Sequence, residues 1–198
     1  MSADVPVPEE FRERVLDAAC DELIRWGMDR FSILALADRH GLDPERIHQH
    51  WPNAESLVLE ALLYWPGTER FDIPDTGSLH TDLLALATWM AGYVSSERGR
   101  SLQLAHVIAN PNLPTARIRR EAWRVRSDSL RVVLERARQR GELRPGVDAL
   151  SVLELLFAPI NMRELFTGEP VDEQYCRTLA DLICHAVVLR GNGAPTAP

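Results

Sequence analysis

The sequence contains no lysine: its 22 basic residues are all arginine, set against 29 acidic residues for a net charge of −7. A chain that holds polyanions by charge alone carries a basic surplus, so nonspecific adhesion to nucleic acid or to an anionic membrane is excluded as its principal mode of binding. The deficit is local. Residues 1–66 hold 6 Arg and 13 acidic residues, whereas residues 67–198 hold 16 of each.

Cysteine is scarce as well. Cys20, Cys176 and Cys184 form no CxxC pair, and the last two, eight residues apart on one helical pattern, lie roughly 12 Å from each other, too far for a disulfide. All three are expected as small buried hydrophobes in a reducing compartment. The longest uncharged apolar run, Leu83 to Ser96, falls short of the ~18 residues a membrane span requires. The start MSADVPVPEEF is acidic and lacks the apolar segment of a signal peptide. The expectation is a cytoplasmic protein with no membrane partner. Catalytic signatures are missing too: there is no GxSxG, no phosphate-cradling glycine loop, no HExxH and no zinc-type Cys/His spacing. His48 and His50 are two apart, about 200° round a helix, and cannot share a metal there. No enzyme, no cofactor and no metal are therefore expected.

What is present is helix, punctuated by glycine and proline, with no persistent strand-like alternation. Phe11, Val15, Ala19, Leu23 and Trp26 recur at spacings of four and three, which predicts a first helix with a buried stripe, ended by Gly27. Ser32 can cap a short second helix that runs to about His40, where Gly41 stops it. Asp43 can cap the next, and Pro44 suits its first turn, where the missing N–H costs nothing. The turn between them is Gly41-Leu42-Asp43. Leu36, Ala37, Leu42, Ile47 and Trp51 can lock the two helices together, leaving Arg46, His48, Gln49 and His50 to face outward. Two short helices, a three-residue turn with glycine and a polar outer face make a helix-turn-helix pattern. A fourth helix is expected from near Asn53 to the Pro66-Gly67 break.

The stretch RVLDAACDELIRWGMDRFSILALADRHGLDPERIHQHWPNAESLVLEAL resembles the N-terminal domain of the TetR family of transcriptional repressors, over roughly Arg14 to Leu62. The resemblance rests on Leu16, Ala19 and Trp26-Gly27, the Ser32 cap, Leu36-Ala37, Gly41-Leu42, and Ile47-His48 before His50-Trp51. It implies an all-α homodimer, with a three-helix helix-turn-helix domain followed by a helical domain that dimerises and binds a small-molecule effector. On that reading residues 1–52 form the DNA-binding domain, 53–190 the ligand-binding and dimerisation domain, and 191–198 a disordered tail. The residues facing an operator in double-stranded DNA are Ser32, Pro44, Arg46, His48, Gln49 and His50. Two positions depart from the family pattern: His48 stands where a tyrosine is usual and Ala54 where a lysine is usual. Both family residues contact phosphate, and each lost contact lowers the salt slope by ~0.9.

The acidic residues Glu9, Glu10, Glu13, Asp17, Asp21 and Glu22 sit on the first helix, expected to face away from the duplex. Between Ser32 and Trp51, Arg39 and Arg46 stand against Asp38, Asp43 and Glu45, with three histidines besides.

Ser78 to Arg190 reads as five helices. The first is apolar on every side and is expected to be central, with Trp89 and Tyr93 four apart on one face, as an aromatic cavity wall or ordinary core. His106, Trp123 and Phe157 join them as the candidate effector-binding set. A long helix from Thr115 to Arg140 carries nine Arg against three acidic residues, a pattern that suits solvated or i,i+4-paired guanidiniums better than a site. The last two helices, about Asp148 to Phe166 and Asp172 to Arg190, flank Gly168-Glu169-Pro170. FAPINMRELFTGEPVDEQYCRTLADLICHAVV also resembles the C-terminal end of TetR-family chains, through Pro159, Arg163, Leu165, Thr167 and Gly168. The resemblance implies a four-helix bundle between two copies, with Leu155, Leu156, Ile160, Leu179, Leu182, Ile183 and Val187 as its seam. The other function class compatible with this fold is a lipid- or small-molecule-binding protein that no longer binds DNA; retention of Arg46 and Gln49, side chains suited to guanine and adenine edges, favours the regulator.

Overall fold

A computed structural model describes residues 8–64, 72–105 and 113–188. Among them are nine α-helices and no strand: α1 (Glu9–Trp26), α2 (Ile33–His40), α3 (Pro44–His50), α4 (Ala54–Leu63), α5 (Leu79–Ser95), α6 (Glu97–Ala105), α7 (Thr115–Gln139), α8 (Ala149–Asn161) and α9 (Glu173–Val187). One isolated antiparallel bridge joins Leu143 to Val188. No helix among the described residues is long and apolar enough to cross a membrane. His106 and residues 191–198 lie outside the described residues.

The helices pack as two compact units that do not follow sequence order. One comprises residues 1–70 and 97–126, the other residues 71–96 and 127–198. The packing units therefore cross the role-based boundary at residue 52, and α7 gives its first half to one unit and its second half to the other.

In the first unit Phe11, Val15, Leu16, Ala19 and Leu23 of α1 are buried against Leu36 and Ala37 of α2, Ile47 and Trp51 around α3, and Leu57 and Leu62 of α4, with Leu102, Ile118 and Ala122 completing the same core. Trp26 departs from the expected stripe: it is 43% exposed, with the Arg39 guanidinium 5.5 Å from its ring centroid. It stands at the end of α1, where the helix stops at Gly27 with φ 69°. Cys20 is fully buried and its thiol donates to the Ala61 carbonyl at 3.5 Å. Burial pushes that thiol up to about 11, so hardly any thiolate exists at pH 8 and a thiol reagent also lacks access. We expect mapped alkylation of the native protein to leave Cys20 unmodified under conditions that label it quickly in denaturant; rapid native labelling would contradict this packing.

In the second unit α5 packs against α8 and α9, as expected of a helix apolar on most sides, and buries Leu79, Leu83, Leu86, Ala87, Met90 and Val94. Its start is pinned by buried Asp82, which accepts from Thr76 N and Thr76 Oγ1, each at 2.7 Å, and from Arg140 Nη2 at 3.3 Å. The arginines of α7 are largely paired: Arg124 with Glu121, Arg131 with Asp128 and Arg138 with Glu135, all at i,i+3 spacing, not i,i+4, and Arg117 with Glu55 of α4.

The helix expected from Asp148 to Phe166 is two segments. Regular α8 ends at Asn161, and Met162–Thr167 continues as a wider π-type turn to Gly168, which adopts φ 69°. The change begins within a turn of Pro159, which has no N–H to give the helical ladder. Most of the expected inter-subunit seam is internal: Leu156, Ile160, Leu179, Ile183 and Val187 are buried within the unit. The large apolar side chains left outside are Leu155 at 58%, Met162 at 56%, Phe166 at 66% and Leu182 at 63% exposed.

Candidate nucleic-acid interface

Local chemistry builds α2 and α3. The Ser32 side chain accepts from Ala35 N at 3.5 Å, and α2 closes at Gly41, whose φ of 61° is left-handed and open to glycine without strain. Leu42 N then donates to Ala37 O at 2.9 Å, folding the turn back on its helix. Asp43 Oδ1 accepts from Glu45 N at 2.9 Å and Arg46 N at 3.5 Å, with Pro44 in the first turn of α3. Ile47 and Trp51 face the core and Leu42 packs against it half-buried. The helix-turn-helix expected from Ser32 to Trp51 is therefore present.

Its outer face is less uniform than the sequence suggests. Arg46, His48 and Gln49 are exposed, but His50 is half-buried, its ring centroid 6.0 Å from that of Phe11 in α1. Arg46 lies over the same ring, its Cζ 4.0 Å from the centroid. His48 Nδ1 is 2.7 Å from Pro44 O. A carbonyl only accepts, so Nδ1 donates, and in the neutral ring Nε2 is the acceptor. α3 thus offers a guanidinium, an amide and an imidazole of fixed tautomer along one exposed side.

Two carboxylates that tie this head together were not identified from sequence. Glu22, expected on the solvent side of α1, is 2% exposed. It accepts from Arg39 Nη1 at 2.5 Å and faces His40 Nε2 at 3.3 Å, joining α1 to the end of α2. A buried carboxylate is tolerable only when so partnered. Arg39, one of the two arginines counted toward the duplex, is thereby committed inside the protein. Glu60 of α4 accepts from Trp51 Nε1 at 2.5 Å and from Arg12 Nε at 2.7 Å. The buried Trp51 indole needs an acceptor, and Glu60 provides one while linking α1, the end of α3 and α4. Arg126 Nη2 donates to Leu62 O at 2.8 Å, and Arg98 of α6 pairs with Asp17 of α1 at 3.0 Å. The acidic surface of α1 is in this way partly neutralised from inside the unit.

Of the candidate effector residues, Trp89 and Tyr93 are half-buried with parallel rings, 6.1 Å between centroids and 7° between planes. Phe157 is buried in α8, and Trp123 is half-buried in the first unit's part of α7. A groove of about 440 Å³ in the second unit is lined by Leu84, Thr88, Ala91, Ser95, Val171 and Cys176, among others. Positions 84, 88, 91 and 95 share one face of α5, and Trp89 and Tyr93 lie on the far side of that helix. The structure thus stacks Trp89 on Tyr93 and does not bring them into this groove. Among the described residues no cluster of three His, Cys, Asp or Glu side chains is placed to hold a metal ion.

Residues 73–183 match the family described as Tetracyclin repressor-like, C-terminal domain. The uncharacterized HTH-type transcriptional regulator YdeS of Bacillus subtilis strain 168 is 29% identical to this chain, the match covering 88% of each. HTH-type transcriptional regulator AqdR of Rhodococcus erythropolis is 31% identical over 72% of this chain and 69% of its own. Among solved structures, the TetR family transcription regulator SCO0332 is similar with a TM-score of 0.65 at 24% identity, covering 90% of this chain and 98% of that one, a likeness of fold. A capped helix-turn-helix at the N-terminus and a matching C-terminal half converge on one assignment: the chain belongs to the TetR family of helix-turn-helix transcriptional regulators.

Proposed function

We propose that the protein is a repressor that works as a homodimer, reads a near-palindromic operator in double-stranded DNA with α3, and lets go when a small molecule binds its C-terminal helices. Residues 1–52 read DNA, and residues 53–190 hold the partner and the effector. Arg46 and Gln49 contact base edges; Ser32, Pro44, His48 and His50 lie along the backbone. Trp89, Tyr93, His106, Trp123 and Phe157 are the residues we assign to the effector. The observation that carries this reading is the exposure of Arg46 and Gln49 together on a helix whose opposite side, Ile47 and Trp51, is fixed in the core. Glu60 supports it further, because Trp51 and α4 then move as one piece with the recognition helix.

Affinity in this scheme comes from base contacts and helix N-terminal amides more than from charge. With Ala54 in place of a lysine and Arg39 held by Glu22, nonspecific binding should be weak and its dependence on salt shallow. The test is selection of genomic fragments by the purified protein at low salt, followed by release of the retained fragment with candidate small molecules. Enrichment of one or a few near-palindromic sites, with half-sites related by about whole helical turns, supports the regulator. Retention of no fragment sinks it and leaves the alternative, a small-molecule- or lipid-binding protein that no longer binds DNA.

A further inference from the structure

We propose that Phe11 of α1 is a positioning residue for base reading: its ring holds the Arg46 guanidinium in a preset place on the outer side of α3. This rests on the assignment of Arg46 to a base edge. The geometry is specific. Arg46 Cζ lies 4.0 Å from the Phe11 centroid, a distance reached over the face of a ring and not at its edge. Phe11 itself is 7% exposed and held in the core, so the platform is fixed. The His50 ring, 6.0 Å away and tilted by 57°, packs beside the same ring.

Stacking suits an arginine that must read a base. A guanidinium has a π-face and, in its plane, five N–H donors; the ring occupies the face and leaves the donors for the O6 and N7 acceptors of guanine. Among the described residues Arg46 makes no ion pair, in contrast to Arg39, whose Nη1 is committed to Glu22. The surroundings explain why an uncharged platform matters. With 13 acidic residues to 6 arginines in residues 1–66, an unanchored guanidinium has carboxylates such as Asp43 and Glu45 close by in sequence to collapse onto. An aromatic ring restrains the side chain without neutralising it. Part of the ordering cost of binding is then met in the free protein.

A cation–π contact at an exposed site corresponds to roughly 2- to 5-fold in an equilibrium constant. The experiment measures binding to a duplex selected by the wild-type protein, and to the same duplex with the Arg46-contacted base pair replaced in each half-site. Phe11→Leu should lower the ratio of the two affinities by about 2- to 5-fold per half-site, Phe11→Tyr should restore it, and Phe11→Leu should have no further effect on the ratio in an Arg46→Ala background. An equal loss on both duplexes, or the same loss with and without Arg46, overturns the proposal and makes Phe11 a packing residue. If Arg46→Ala alone leaves the ratio unchanged, the base-reading assignment fails, a result distinct from an inert Phe11→Leu beside a harmful Arg46→Ala. If Phe11→Leu does not fold, the free wild-type protein decides by NMR. The Arg46 side-chain protons should be shifted upfield by the Phe11 ring current, and ordinary solvent-exposed values would overturn the proposal.

Discussion

The double substitution R46A/Q49A is expected to abolish protection of any operator the wild-type protein selects, while the melting temperature changes by no more than a few degrees. Both side chains are exposed, so little packing is lost, and alanine is the best helix former. A good bidentate contact to a base is worth ~1–3 kcal/mol of discrimination. With one contact from each residue and two copies of each in a dimer, even the lower figure totals about 4 kcal/mol, on the order of a thousandfold in affinity. A strongly basic domain could hide such a loss under phosphate binding. This one cannot, because its first 66 residues carry a deficit of seven charges and Arg39 is engaged by Glu22. Footprinting at two salt concentrations, alongside thermal melts, checks both halves of the expectation. A double variant that retains the same fragments as the wild type removes the recognition-helix assignment.

The features legible in the sequence are those in which a residue acts on its own neighbours. Ser32, Asp43, Asn53, Ser78, Asp148 and Asp172 all cap the helices that follow them, accepting from backbone amides two or three residues on. Gly41 and Gly168 stop helices with left-handed φ. From these caps and the apolar periodicity, the helix-turn-helix and the order of helices could be placed. Periodicity names a buried face but not what covers it. Leu156 and Leu155 are adjacent on one apolar helix, yet α5 and α9 cover the first and leave the second outside. Charge is harder still. Glu22 looks like one more acid on an acidic helix, and only the return of α2, with Arg39 and His40 at its end, turns it into a buried tie. Glu60 and Trp51 are nine apart across a helix break, and Phe11 and Arg46 are 35 residues apart, so no local rule joins them. Pro159 was visible, but its effect, a wider turn from Met162 to Thr167, depends on packing that the residue alone does not specify.

A dimer that falls apart is the second large effect. Leu155, Met162 and Phe166, spaced seven and four apart, lie on one side of α8 and its extension, and Leu182 lies on α9, which packs against α8. Each is more than half exposed, an arrangement that costs solubility unless a partner covers it. The occupant we assign is a second copy of the chain related by a twofold axis, in which every substitution acts twice. Burying an apolar side chain of this size contributes ~1.5–3 kcal/mol, and burying an arginine instead adds an unpaired charge. The variant L155R/L182R should therefore raise the dimer dissociation constant by more than about a thousandfold, while the fold survives because both positions already face solvent. Light scattering on a sizing column is expected to give a dimer for the wild-type protein at micromolar concentration and a monomer for the variant. Operator binding should fall with it, since two half-sites joined in one dimer act at high effective concentration and separate heads do not. A wild-type monomer rules out this assembly, and a variant that stays dimeric with operator affinity intact moves the interface to another face.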